Sequence, residues 1–276
     1  MTDFVTRFAP SPNGFLHLGH AFSALSAYRA AMDAGGRFLL RIEDIDTGRA
    51  RPEFEAAIYD DLKWLGLEWE QPVRRQSDHF EDYTKAIASL SDRGLTYPCF
   101  CTRRDILTAG VEMGSDGPIY PGICRHLSAG EVVELIEEGQ GFALRLRMDA
   151  AMEEIAHPLT WFERSSSEIA ADPLSLGDVL LARKDIGTSY HISVVVDDAL
   201  QGVTQIIRGR DLFEATPIHR LLQELLGLPE PHYHHHRLIE DDTGIRLAKS
   251  KGSPSLKDLR EQGIKLATVI DALGLK

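Results

Sequence analysis

The chain predicts an α/β fold, a parallel sheet flanked by helices and interrupted by an inserted segment, and three observations predict it. A strand-like run from Thr2 to Phe8 passes through a Pro-Ser-Pro loop into an apolar-periodic helix and then into a second strand-like run, Arg37 to Ile42, which is the strand, helix, strand unit of a parallel sheet. A second group of strand-like and helical runs returns after residue 172. Between the two groups lies a stretch of different texture that holds all three cysteines. With 276 residues the chain can bury a large core, as one big domain with an insertion or two modest ones.

Taken in order, the first helix opens at His17 and His20, three residues apart, ahead of Leu18, Phe22, Leu25 and Tyr28 on the same 3.6-residue period. Both rings are expected on one face of the first turn, where free backbone N–H groups and the positive end of the helix dipole favour an anion. Gly19 between them is expected to let a flat base approach the backbone, and Gly35-Gly36 to end the helix. Glu43 follows the second strand at its carboxyl end, the side on which parallel sheets bind ligands. Pro52 starts the next helix, where its missing N–H costs nothing, and Ala57, Ile58, Leu62 and Leu65 make its apolar face. A further helix spans about Phe80 to Arg93. The segment from Tyr97 to Ala171 reads as an insertion, Gly/Pro-rich from Gly110 to Gly122, with a helix opened by the capping box of Ser128 and Glu131. Strand-like sequence resumes at Val179 to Arg183, Tyr190 to Val196 and Gln205 to Arg208, followed by a helix with Thr216 as N-cap and Pro217 first inside. The residues after Ser250 suffice for two short helices and no further domain. The expected division is 1–96 and 173–245 as two halves of one α/β domain, 97–172 as the insertion, and 246–276 as a basic loop with short helices.

A hydrophobic content of 43% and a charged content of 26% are ordinary for a soluble globular protein. No apolar stretch approaches a membrane span and Met1-Thr2-Asp3-Phe4 has no signal-peptide character, so no membrane partner and a cytoplasmic location are expected. The net charge of −12 argues against nucleic-acid binding through bulk electrostatics, although local basic clusters occur at Arg49 and Arg51, Arg74-Arg75, Arg103-Arg104, and Lys249 with Lys251 and Lys257.

Pro10-Ser11-Pro12-Asn13-Gly14 running into His17-Leu18-Gly19-His20, together with the late loop Arg246-Leu247-Ala248-Lys249-Ser250, resembles the class I aminoacyl-tRNA synthetases. Arg7 to Gly14, Arg41-Ile42-Glu43-Asp44-Ile45-Asp46, Tyr190 to Asp198 and Ile207-Arg208-Gly209-Arg210-Asp211 resemble the glutamyl branch, in order along nearly the whole chain. The resemblance implies a Rossmann-type catalytic domain that takes ATP with Mg2+ and L-glutamate. Attack of a carboxylate on the α-phosphate needs positioning and charge stabilisation more than a covalent nucleophile. His17, His20 and Lys249 are the implied catalytic residues, and Pro10, His17, Gly19, His20, Arg246 and Lys249 the implied ATP site. Arg246 stands where the family has Lys, and Ala248 where it has Ser; the loop keeps its charge and loses a hydroxyl. For glutamate, planar guanidinium groups suit the side-chain carboxylate, so Arg7 and Arg208 are the candidates, with Tyr190 adding a hydroxyl, Glu43 binding the ammonium and Ser11 accepting another of its protons.

Cys99, Cys101 and Cys124 clustered in one segment suggest a metal more than disulfides, and zinc wants a fourth donor. Physical chemistry alone nominates His126; the family pattern C-x-C…Y-x-x-x-C implies Tyr120 and one structural Zn2+. His234-His235-His236 is read as structural or as the rim of the nucleotide pocket, because adjacent residues do not face one way. The short segment after Ser250 and the C-x-C pattern resemble the glutamyl-queuosine tRNA(Asp) synthetase family, paralogues without an anticodon-binding domain. That implies glutamate activation without tRNA, transfer to the queuosine base at the wobble position of tRNA(Asp), and a monomer. The alternatives are an adenylate-forming ligase with another acceptor, and an inactive synthetase-like module.

Overall fold

The computed structural model describes residues 3–114, 117–239 and 254–275. Strand β1 (Val5–Phe8) and strand β2 (Arg37–Ile42) pair in parallel, Arg7 opposite Leu39. Both are buried on their two faces save for the first residue of β2, as strands of a covered parallel sheet are. Helix α1 (Leu18–Asp33) crosses between them, its face of Ala21, Phe22, Ala24, Leu25, Ala27 and Ala31 turned to the core. Gly35 ends it in the left-handed region at φ 62°, a conformation that costs a side chain. Helix α2 (Pro52–Trp64) leads to the short β3 (Arg74–Arg75), parallel to β2, and then to α3 (Phe80–Asp92).

The inserted part begins with β4 (Thr96–Cys99) and α4 (Arg103–Thr108), then the small pair β5 (Met113–Gly114) and β6 (Gly117–Pro118). Helix α5 (Ala129–Glu137) has the expected Ser128/Glu131 capping box. β7 (Ala143–Leu146), α6 (Met148–Glu154), β8 (Thr160–Glu163), β9 (Ser167–Ala170) and β10 (Leu180–Ala182) follow. Hydrogen bonding divides these strands differently from chain order. β4, β7 and β10 form an antiparallel sheet, whereas β8 lies parallel to β12 (His232–His236) in the main sheet. Sequence texture does not show which edge a strand completes.

One expected strand is a helix. Tyr190 to Val196 makes the first turns of α7 (Tyr190–Leu200), where Ile192, Val194, Val195 and Val196 are all buried. A helix packed between α3 and α8 (Thr216–Leu225) and buried from Ile192 to Asp198 has no solvent-facing polar stripe there, so its apolar run imitates a buried strand. The N-cap of α8 is Ala215, one residue earlier than expected, because the Thr216 hydroxyl is committed to Arg208.

Strand β11 (Gln205–Gly209) pairs in parallel with β12. Thr204 N donates to Val5 O at 2.9 Å, setting β11 beside β1 with both starting from the same end. From β1 the sheet grows toward β2 and β3, and from β11 toward β12, β8 and β9. The crevice at that divergence is where an open α/β sheet receives ligand. Helices α9 (Leu256–Glu261) and α10 (Leu266–Ala272) pack on the core shared by α1, β2 and α2, with Leu256, Val269 and Leu273 buried in it. No helix among the described residues is long and apolar enough to cross a membrane.

Helix α9 meets α2 through Arg260 Nη2 and the buried Asp61 Oδ1, 3.3 Å apart. Burial pushes the Asp61 carboxyl up to about 6, against the pull of Arg260. A folded pKa above the unfolded value of 3.8 means that this group's contribution to stability is complete below 3.8 and is lost as pH rises through about 6. Asp61→Asn keeps the acceptor for Arg260, so its calorimetric unfolding midpoint should exceed the parent's at about pH 8 and match it at about pH 4. A lower midpoint at the higher pH would mean that the ion pair outweighs desolvation.

Candidate active site

At the carboxyl edge of the sheet a cleft of about 370 Å³ opens between β1 and β11. Its walls include Arg7, Pro10, Ser11, His17, Gly19, His20, Glu43, Tyr190 and Arg208, so every sequence-predicted ATP and glutamate residue within the described part of the chain converges on one space. Arg246 and Lys249 lie outside the described residues. The flanks of their segment are at the cleft: Ile239 lines it, and Ser255 forms a β-bridge with His17.

The two histidines do more than project from the helix. His17 is the N-cap of α1: its Nδ1 accepts from Gly19 N at 3.0 Å, while His20 Nδ1 accepts from His17 N at 3.1 Å. Because each Nδ1 accepts, the neutral rings carry their protons on Nε2, as hydrogen-bond donors. The ring centroids are 3.9 Å apart. A Cβ on Gly19 would sit 2.9 Å from His17 Cε1, so the glycine first of all makes room for the imidazole that caps the helix.

Glu43 is held against the Pro-Ser-Pro loop by its own N–H, which donates to Pro10 O at 3.0 Å. Burial raises its carboxyl above the ordinary value, opposed by Arg41 and Arg7. An ammonium ligand would favour the ionised form. Arg7 grips Asp198 side-on, Nε to Oδ1 at 2.9 Å and Nη2 to Oδ2 at 3.3 Å. Asp198 takes no Nη1 hydrogen bond, and Arg7 is among the residues that line the cleft. Arg208 differs: Nε donates to His235 Nε2, Nη1 to His219 Nδ1, and Nη2 to both Leu212 O and Thr216 Oγ1. Four of its five N–H groups therefore have protein acceptors among the described residues. Tyr190 is raised by burial and remains a protonated donor.

Sequence reasoning gave no role to the residues behind these groups. Arg41, fully buried, bridges Asp198 at 2.8 Å and Glu43 at 3.3 Å. Asp197 ties Arg74, Gln76 and Tyr83 together. Removing one member of such a pair strands the other, at a cost of about 3–5 kcal/mol. A signal existed: charges inside apolar runs, as in Phe38-Leu39-Leu40-Arg41-Ile42 and Val194-Val195-Val196-Asp197-Asp198, must find partners. Of the histidine triplet, His236 faces the cleft and lies 2.7 Å from Ser23 Oγ, and His235 packs behind Arg208. The clusters at Arg49 and Arg74-Arg75 are ion-paired to Asp46, Asp197, Asp82, Asp44 and Glu55.

In the inserted part the sulfurs of Cys99, Cys101 and Cys124 all lie within 4.8 Å of one another. Cys101 Sγ is 3.5 Å from Cys124 Sγ and 3.6 Å from the Tyr120 hydroxyl, which accepts from Cys124 N at 2.7 Å. His126 is exposed and is not among the converging donors. Burial pushes the Cys101 thiol up to about 12. At Cys124 burial acts the same way but is outweighed by hydrogen bonds from Tyr120 and the Phe100 backbone, which lower it.

A parallel sheet that grows in opposite directions from β1 and β11, with a capped helix and paired histidines at its carboxyl edge, is an arrangement suited to holding a nucleotide. The family described as tRNA synthetases class I (E and Q), catalytic domain, matches residues 3–276. The chain is 51% identical to the Glutamyl-Q tRNA(Asp) synthetase of Rhodobacter capsulatus, over 98% of this chain and 100% of that protein. It belongs to the glutamyl-Q tRNA(Asp) synthetase family and is a ligase. It is also 38% identical to the Glutamate--tRNA ligase of Aquifex aeolicus, spanning 55% of it. The crystal structure of the glutamate-tRNA synthetase from Elizabethkingia anophelis superimposes with a TM-score of 0.74 at 26% identity, over 91% of this chain and 53% of that one.

Proposed function

We propose that the cleft activates L-glutamate with ATP and Mg2+ as glutamyl-adenylate, without needing tRNA, and transfers the glutamyl group to queuosine at the wobble position of tRNA(Asp). The carrying observation is the convergence of Arg7, Ser11, Glu43, Tyr190 and Arg208 with His17 and His20 in one cleft. The guanidinium of Arg7 and the remaining N–H of Arg208 receive the side-chain carboxylate, helped by the Tyr190 hydroxyl. Glu43 and Ser11 take the ammonium. The α-carboxylate is then left to attack the α-phosphate; a P–O bond forms to it and the bond to pyrophosphate breaks. His17 and His20 donate from Nε2 to phosphate oxygens, Pro10 and Gly19 line the nucleotide, and Arg246 and Lys249 neutralise the leaving pyrophosphate. The Rhodobacter relative, named Glutamyl-Q tRNA(Asp) synthetase and matched over its whole length, supports the reading of queuosine as acceptor.

The same reading takes residues 1–96 and 173–245 as the catalytic domain and 97–172 as an acceptor-binding insertion, with β8 and β9 lending their strands to the main sheet and β10 lending its strand to the inserted one. Cys99, Cys101, Tyr120 and Cys124 fit a zinc ion: tetrahedral ligands with Zn–S of about 2.3 Å stand ~3.8 Å apart, close to the separations found here. Bound zinc supplies a structural cross-link, since four protein donors leave no open position. The enzyme is read as a cytoplasmic monomer.

The test is glutamate-dependent ATP–pyrophosphate exchange without tRNA, then transfer of labelled glutamate to tRNA(Asp) with and without queuosine. Exchange with queuosine-dependent transfer is the expected result. Exchange with transfer to neither tRNA would retain activation and overturn the acceptor; no exchange would leave a binding module.

A further inference from the structure

We infer that Glu163, His235 and His219 are positioning residues for Arg208, forming a buried chain of hydrogen bonds that fixes the guanidinium and leaves one N–H for the ligand carboxylate. The inference rests on the reading of Arg208 as a glutamate-binding residue.

A guanidinium has no acceptor, so its partners' tautomers are determined. His235 Nε2 accepts from Arg208 Nε at 3.0 Å; its proton is therefore on Nδ1, 2.6 Å from Glu163 Oε2. Glu163 is 1% exposed and also accepts from His235 N at 2.9 Å, so one residue holds both of its oxygens. On the other side His219 Nδ1 accepts from Arg208 Nη1 at 3.0 Å, which puts its proton on Nε2, 3.2 Å from His191 Nδ1. The Tyr233 ring stacks on His235 at 3° and lies 5.2 Å from Arg208 Cζ.

The consequence is electrostatic as well as steric. Arg7 is neutralised by direct contact with Asp198, which consumes one edge of its fork. Glu163 balances Arg208 through a neutral imidazole and takes none of its N–H groups, so it does not compete with a ligand carboxylate. A protonated histidine on either side would lose the acceptor and repel the cation. Burial, reinforced by Arg208, holds His235 down to about 4 and His219 well below its ordinary value, so both stay neutral in the physiological range. A long side chain with several free torsions is thereby ordered before glutamate arrives.

The test measures exchange rates against glutamate and against ATP in Glu163→Ala, Glu163→Gln, His219→Leu and His219→Asn, with Arg208→Leu as reference. Glu163→Ala and His219→Leu should raise the glutamate KM about tenfold and leave the ATP KM within about twofold. His219→Asn, whose Oδ1 falls near the lost Nδ1, should recover to within about threefold, and Glu163→Gln, whose single oxygen can accept from only one of the two His235 N–H groups, should recover only part of the loss. Unchanged glutamate KM in both truncations, or equal rises in both KM values with no recovery, would overturn the inference provided Arg208→Leu is inactive. Parent-like Arg208→Leu would remove the reading of Arg208 itself, and the positioning role with it.

Discussion

Arg208→Leu is expected to abolish glutamate-dependent pyrophosphate exchange. Truncating one partner of a buried, hydrogen-bonded charge costs about 2–5 kcal/mol, roughly 30- to 4,000-fold in affinity, and the upper range applies when the lost cation faces a ligand carboxylate. The variant also strands acceptors on His235, His219, Thr216 and Leu212, so it removes local order as well as charge. Arg208→Lys separates the two effects: it keeps the charge, but an ammonium with three donors cannot serve four acceptors spread around a plane. Lysine should retain measurable exchange at a raised glutamate KM, whereas leucine retains none. Parent-like kinetics in either variant, with the fold checked by near-ultraviolet circular dichroism, would take Arg208 out of the site.

Cys101→Ser should lower the zinc content from about one ion per chain to background and destabilise the inserted sheet. The local core there is small: Tyr97, Cys99, Ile106, Tyr120 and Cys124 are its only buried members among the described residues. A core of that size needs a cross-link. Asp178 tethers the cluster to the rest of the chain, accepting from Tyr97 Oη, Arg125 Nε and Met148 N. No cysteine lines the cleft, so exchange should stay within about threefold of the parent while transfer to tRNA falls much further. Tyr120→Phe should lose zinc more gently. Zinc unchanged in both variants, measured by inductively coupled plasma mass spectrometry, would sink the four-donor site.

Much of the fold was legible because its local signals agree. Two strands with a capped helix between them, the Gly35 stop, Pro52 at a helix start and the Ser128/Glu131 box each depend on a few neighbouring residues. α7 was not legible, since burial on all sides erases the period that separates helix from strand. The placement of β8 and β10 was not legible either, because sheet membership is a relation between distant segments.

Short spacings in the chain itself were enough to single out the paired histidines at a helix start and the cysteine cluster, whereas Arg7, Ser11, Glu43, Tyr190 and Arg208, scattered over the sequence, were gathered by the family resemblance. What those side chains still have available was decided by tertiary structure. Asp198 takes one edge of Arg7 across 191 positions, and Glu163 reaches Arg208 through His235 across 72. Tyr120 rather than His126 meets the thiols because of how the loop folds over β4. A hydrogen bond saturates a donor wherever its acceptor comes from, and that origin is set by packing rather than by neighbours in the sequence.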